Sequence, residues 1–198
     1  ALLLCISGLW AEDTLRQSSV FIEAEDFTPV GEGWAPGQGW NDDIYEPTSG
    51  DAVLGHPGFG VGTATKETMI PAEGTYKVWV RYLKIGAYPG TFGVRIEQGG
   101  ATVFDQEYRT NPQGSDWRPV WESGEAHLAA GPATVTLYLA QPGIRQRVDC
   151  LLITPDLQYQ PDFHDFAPRT FLRFRLDAPA EAVNVSVTTY RHRGPIYY

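Results

Sequence analysis

Apolar and polar residues alternate along most of this chain, or apolar residues gather in runs of five to eight bounded by Gly, Pro, Asn and Asp. No segment keeps the 3.6-residue period of an amphipathic helix, so the pattern predicts strands throughout. They are expected near 20–25, 51–55, 62–70, 75–83, 91–98, 101–108, 119–128, 133–140 and 147–154. Thr75–Tyr82 is the cleanest case: Tyr76, Val78, Val80 and Tyr82 share one face, and Lys77, Trp79 and Arg81 share the other. Pro71-Ala72-Glu73-Gly74 and Ala129-Ala130-Gly131-Pro132 mark turns, and Gly99-Gly100 between two strands marks a tight hairpin. Short strands with turns at this spacing predict an antiparallel sandwich or barrel.

Two stretches break the rhythm. Residues 28–50 hold two Trp, one Tyr and many Gly, Pro and Asp, and are expected to form a long loop over the sandwich rim. After Thr154, Pro155–Asp162 reads as a linker, followed by the strand-like runs Phe171–Leu176 and Val183–Val187. Two strands are too few to bury a core. Residues 157–198 are therefore expected to be a linker with the start of a second β domain, or an extension packed on the first.

Composition narrows the function. Residues 1–163 hold 10 Lys/Arg against 21 Asp/Glu, a balance of −11 within a formal net charge of −9. An acidic body is a poor partner for nucleic acid. The apolar opening, Ala1 to Ala11 before Glu12-Asp13, reads as part of a signal peptide over 1–13, or as a buried first strand. It is too short to span a bilayer, so no membrane insertion is expected. A signal peptide would place the protein outside the cell or in the periplasm. Cys5 and Cys150 are the two cysteines; Cys150, in an apolar strand, reads as an inert core residue. Export without a disulfide favours another staple, commonly a metal.

Phe21–Phe27 carries the most chemistry. On a strand Glu23 and Glu25 share a face, while Ile22 and Ala24 point inward. Paired carboxylates repel unless a cation or proton intervenes, and calcium accepts six to eight oxygen ligands. Asp149, in another apolar run, would join them if the first and last strands pair. A solvated acidic face fits the same spacing. So, by separation, does a glycosidase pair, although no nucleophile-elbow, zinc-protease or phosphate-loop motif is present.

Ile22-Glu23-Ala24-Glu25-Asp26-Phe27, Ile70–Tyr76, His127–Gly131 and Arg147–Ile153 occur in the order found in family 6 and family 35 carbohydrate-binding modules. Over 20–156 the chain resembles these galactose-binding-like jelly rolls. The resemblance implies an all-β antiparallel sandwich with a C-terminal β extension, non-catalytic and part of a larger secreted protein with a linked downstream domain. It implies poly- or oligosaccharide as partner and a structural Ca²⁺ held by Glu23, Glu25 and Asp149. It places a sugar-stacking Trp at Trp117, with Trp34, Trp40 or Tyr45 as the opposite wall. The family's Asn two residues before the calcium Asp is replaced by Arg147. That departure suits a uronate carboxylate, or a sandwich that keeps the fold and calcium but serves a structural or protein-interaction role without a sugar site.

Overall fold

The computed structural model describes residues 18–38, 52–57, 60, 62–84, 90–109, 119–140 and 145–161. The expected leader over 1–13 and most of the tail fall outside them. Eleven strands are present among these residues: β1 (Val20–Glu23), β2 (Thr28–Val30), β3 (Ala35–Gln38), β4 (Ala52–Pro57), β5 (Thr63–Ile70) and β6 (Gly74–Leu83) come first. β7 (Thr91–Gln98), β8 (Ala101–Arg109), β9 (Pro119–Leu128), β10 (Gly131–Leu139) and β11 (Arg145–Thr154) follow. One sheet has the order β3-β4-β11-β6-β9, with β1 also on β11; the other runs β2-β5-β10-β7-β8. Every pairing is antiparallel.

Alternation builds the core between the sheets. Tyr76, Val78, Val80 and Tyr82 of β6 face Phe92, Val94 and Ile96 of β7 and Val135 and Leu137 of β10, all buried. Each such side chain contributes roughly 1.5–3 kcal/mol on leaving water. Hairpin β7–β8 turns at Gly99 and Gly100, whose φ of 57° and 82° suit a two-residue turn that a side chain would strain.

The early irregular stretch departs from expectation. It contributes β2 and β3, so it carries sheet edges as well as loop. Residues Ala24–Asp26 form a 3-10 turn after β1, and the chain crosses there from the first sheet to the second. Period-two alternation therefore stops at Glu23, and Glu25 does not share a strand face with it. Ile22 and Ala24 are both buried, as the pattern required.

The strand ends set the geometry of a possible site. β4, β6, β8 and β10 finish at the end of the sandwich where β5, β7, β9 and β11 begin. The β7–β8 hairpin turn at 99–100 and the sheet-to-sheet connections at 71–73 and 129–130 lie at the opposite end.

Candidate functional site

The register confirms that the opening and closing strands of the sandwich pair. Glu23 of β1 stands opposite Cys150 of β11. One edge of β11 serves two strands in turn: β4 pairs with Arg145–Val148, and β1 takes over at Cys150. Asp149 falls at the handover. On the other edge of β11 the ladder with β6 slips between Val148 and Cys150, so Asp149 is an extra residue at a bulge. The 3-10 turn carrying Glu25 lies against β4 and β11 at the same junction.

Asp149 is fully buried beside a buried cation. Its Oδ2 accepts a hydrogen bond from Arg81 Nη1 at 2.6 Å. Arg81 is itself 2% exposed, on β6 opposite Cys150. A buried carboxylate without a cation would be very costly, and the guanidinium supplies that charge from within the chain. The Cys150 Sγ lies 3.7 Å from Asp149 Oδ2. Burial first, then the Asp149 charge, pushes its thiol well up, which leaves it protonated and inert.

The calcium expected at Glu23, Glu25 and Asp149 meets a mixed setting. Carboxylates suit a hard cation, and all three positions belong to one junction. Yet among the described residues no three His, Cys, Asp or Glu side chains are gathered as a metal-ligand set. Asp149 is bonded to Arg81. The sequence signal for Arg81 was Asp149 itself: an acid in an apolar strand demands a buried positive partner, but spacing does not say which.

The expected sugar contacts divide. Trp34 is 2% exposed and belongs to the core cluster, so it offers no ring face to a ligand. Apolar burial wins over display at this position, just before β3. Arg147 is half-buried on β11, opposite Gly55 of β4. Trp40, Tyr45 and Trp117 lie outside the described residues.

A polar group at the loop end was not foreseen. Glu122 of β9 accepts from the Tyr82 hydroxyl at 2.7 Å and pairs with Lys84, the residue after β6. Tyr108 of β8 packs its ring on Phe92 at 5.5 Å and edge-on to Tyr82. Its hydroxyl is buried and finds no hydrogen-bond partner among the described residues. Burial, and then the Glu122 carboxylate, raises the pKa of both tyrosines, so both remain neutral donors. Gln146, 1% exposed near the start of β11, likewise has both amide atoms unpaired among the described residues. Alternation predicted inward positions here; it could not predict which polar residues would fill them.

Comparison with solved structures places the fold. The C-terminal family 6 carbohydrate-binding module of the laminarinase LamC from Zobellia galactanivorans superposes with a TM-score of 0.51 at 18% identity, over 69% of this chain and 98% of that one. A family 35 module from Clostridium thermocellum gives 0.52 at 17%, over 69% and 97%. A family 35 module of Cellvibrio japonicus Abf62 gives 0.52 at 13%, over 69% and 92%. An isomalto-dextranase from Arthrobacter globiformis T6 matches over 69% of this chain but only 23% of its own. No family model and no curated protein matches the sequence. The chain thus has the two-sheet sandwich of family 6 and family 35 modules, and it resembles free-standing modules over nearly their whole length.

Proposed function

We propose that this chain is a non-catalytic carbohydrate-binding module of a larger exported protein, binding poly- or oligosaccharide at the loop end of the sandwich. One observation carries the reading: the described sandwich matches two kinds of carbohydrate-binding module almost end to end. Modules of this shape also occur inside longer chains, as in the isomalto-dextranase, which favours an appended arrangement. Affinity electrophoresis through gels containing single polysaccharides tests the reading, with Trp117→Ala as the paired variant. Retardation that Trp117→Ala abolishes is the expected result. Free migration of the wild-type chain through every neutral and acidic glycan would overturn it.

The reading includes a structural calcium at the junction of β1, β4 and β11. Glu23 and Glu25 would supply charge and oxygen from one side. Asp149 would share its carboxylate between the ion and Arg81. Glu23 standing one ladder position from Asp149 supports this. Calcium in excess should raise the melting temperature and EDTA lower it, with Glu23→Gln insensitive to both. Identical melting in calcium and EDTA would remove calcium from the reading and leave sugar binding standing.

The structural alternative, a sandwich without a sugar site, is favoured by the burial of Trp34. The same gels separate it from the first reading.

A further inference from the structure

The core between the sheets is not the only buried apolar set. Trp79 and Leu83 of β6, with Cys150 and Leu152 of β11, are 9% exposed or less, yet all four stand outside the cluster that fills the sandwich. They belong to the outer face of the first sheet, where Trp121 of β9 pairs with Arg81 in the ladder. Among the described residues no third sheet or α-helix covers that face. The Nε1 donors of Trp79 and Trp121 are buried as well, and neither finds an acceptor among the described residues. A face this apolar and this dry requires a covering layer.

The chain leaves β11 on that side. The Asp156 carboxylate accepts from the backbone N–H groups of Gln158 and Tyr159, at 2.9 and 3.2 Å, and so bends the segment after the strand. Lys77 Nζ, 4.9 Å over the Trp79 ring, donates to the Leu157 carbonyl at 3.1 Å. Pro155, Leu157, Tyr159 and Pro161 are half-buried, in alternation with the exposed Asp156, Gln158 and Gln160. The stretch that reads as a linker therefore lies against the sheet as far as the described residues reach.

We propose that residues 162–198 form this cover, docking the apolar faces of 171–176 and 183–187 on Trp79, Leu83, Trp121 and Leu152 as a third layer of the module. The proposal stands apart from the carbohydrate reading. Period-two alternation puts Leu172, Phe174 and Leu176 on one face, and Val183, Val185 and Val187 on one face. Two such runs cannot bury their apolar sides alone, and the outer face of the first sheet lacks a layer, so each supplies what the other needs. Charge agrees. Residues 164–198 hold five Arg against three acids, a balance of +2, and residues 1–163 carry −11, so the segment is drawn to the body. Arg173 and Arg175, on the opposite face of their run, would stay in water. Residues 1–17 are the rival occupant, because Ser19 Oγ donates to Thr154 Oγ1 at 2.9 Å beside the same face. Their apolar run does not alternate, and an outer layer must turn a polar side to water.

The test reads Cys150, a thiol buried on the covered face, in the full chain carrying Cys5→Ser. Its labelling by dithionitrobenzoate requires the cover to lift. Phe174→Asp should speed labelling by roughly tenfold or more, and Phe174→Ala by less, since it removes apolar area without adding charge. Arg175→Ser, on the face turned to water, should stay within roughly twofold of the parent chain. Amide exchange is the second measurement: 171–176 and 183–187 should be protected in the parent chain, and β7 and β10 should stay protected in Phe174→Asp. If β7 loses protection there, the sandwich itself has opened, and Phe174→Ala decides by the same criterion. Unprotected amides at 171–176 and 183–187 overturn the proposal, and so does labelling that neither Phe174 variant changes. Faster labelling in Leu3→Asp alone would assign the cover to residues 1–17. Labelling that slows with rising protein concentration, whatever stands at 174, would assign it to a second copy of the chain. Either result overturns the proposal.

Discussion

The outward faces of the two sheets have opposite characters. On the sheet built around β11, Trp79, Arg81, Leu83, Asp149, Cys150, Leu152 and Thr154 all point away from the central core, yet each is 9% exposed or less. On the sheet built around β10, the outward row holds Glu67, Arg95, Asp105, Thr134 and Tyr138, joined by exposed hydrogen bonds. Both rows contain an Arg–Asp pair on adjacent strands: Arg81–Asp149 in the first, Arg95–Asp105 in the second. The chemistry is the same and the dielectric is not. Side-chain exposures of 3% and 0% in one pair stand against 40% and 34% in the other. An ion pair is worth what its solvent allows, so the two should respond very differently to the same substitution.

The largest effect is expected at Arg81. Arg81→Met leaves the Asp149 carboxylate buried without that cation, and unfolding should become easier by about 3–5 kcal/mol. A urea midpoint unchanged within error would break the contrast. The double variant Arg81→Met with Asp149→Leu removes both charges and should recover most of the loss. Failure to recover would mean that Asp149 has a further task at the junction, and calcium binding would be the first to check.

A smaller effect belongs to the exposed face itself. Tyr138 lays its ring over Gly93, so close that a Cβ there would stand 2.0 Å from the ring. Arg95 covers the same ring at 5.0 Å, and Asp105 holds the Tyr138 hydroxyl. Gly93→Ala must displace that ring, at a cost of about 1–3 kcal/mol. Arg95→Ala should cost less, about 1 kcal/mol or below, because water replaces what is lost. Denaturation of the two variants side by side checks the order. A larger loss from Arg95→Ala than from Arg81→Met would reverse the lesson altogether.

The fold was largely legible. The run Thr75–Tyr82 alternates because one face meets the core, and the structure buries that face as the pattern demanded. The pairing of the first and last strands, a common feature of sandwiches on which the Asp149 expectation depended, is present in the structure. Edge strands β2 and β3 were not legible, because Pro29, Pro36 and Gly37 disguise short strands that pair along one side. The site was harder to read. Asp149 announced a buried charge, but its partner is 68 residues away in sequence, on a position indistinguishable from a solvated Arg in an alternating strand. Trp34 looked like a rim aromatic for the same reason: loop composition does not report which ring turns inward.

The smallest effect concerns alkali. Burial first, and then its hydrogen bond to Asp105, pushes the Tyr138 phenol up to about 12 from an ordinary 10. A tyrosine whose folded value is raised favours the folded state fully below the unfolded value. That contribution fades as pH climbs from about 10 through about 12, since the unfolded chain ionises first. Tyr82 and Tyr108 are raised further, by deeper burial, so the loss they cause matches that of Tyr138 inside the window and continues beyond it. Tyr138→Phe and Tyr108→Phe should therefore flatten the alkaline slope of the urea midpoint about equally between pH about 10 and about 12, and above that only Tyr108→Phe should go on flattening it. Equal flattening above that window would show that the exposed face shields its phenol as well as the interior does. The difference between the faces would then lie in charge pairing alone, and dielectric would have to be given up as its cause.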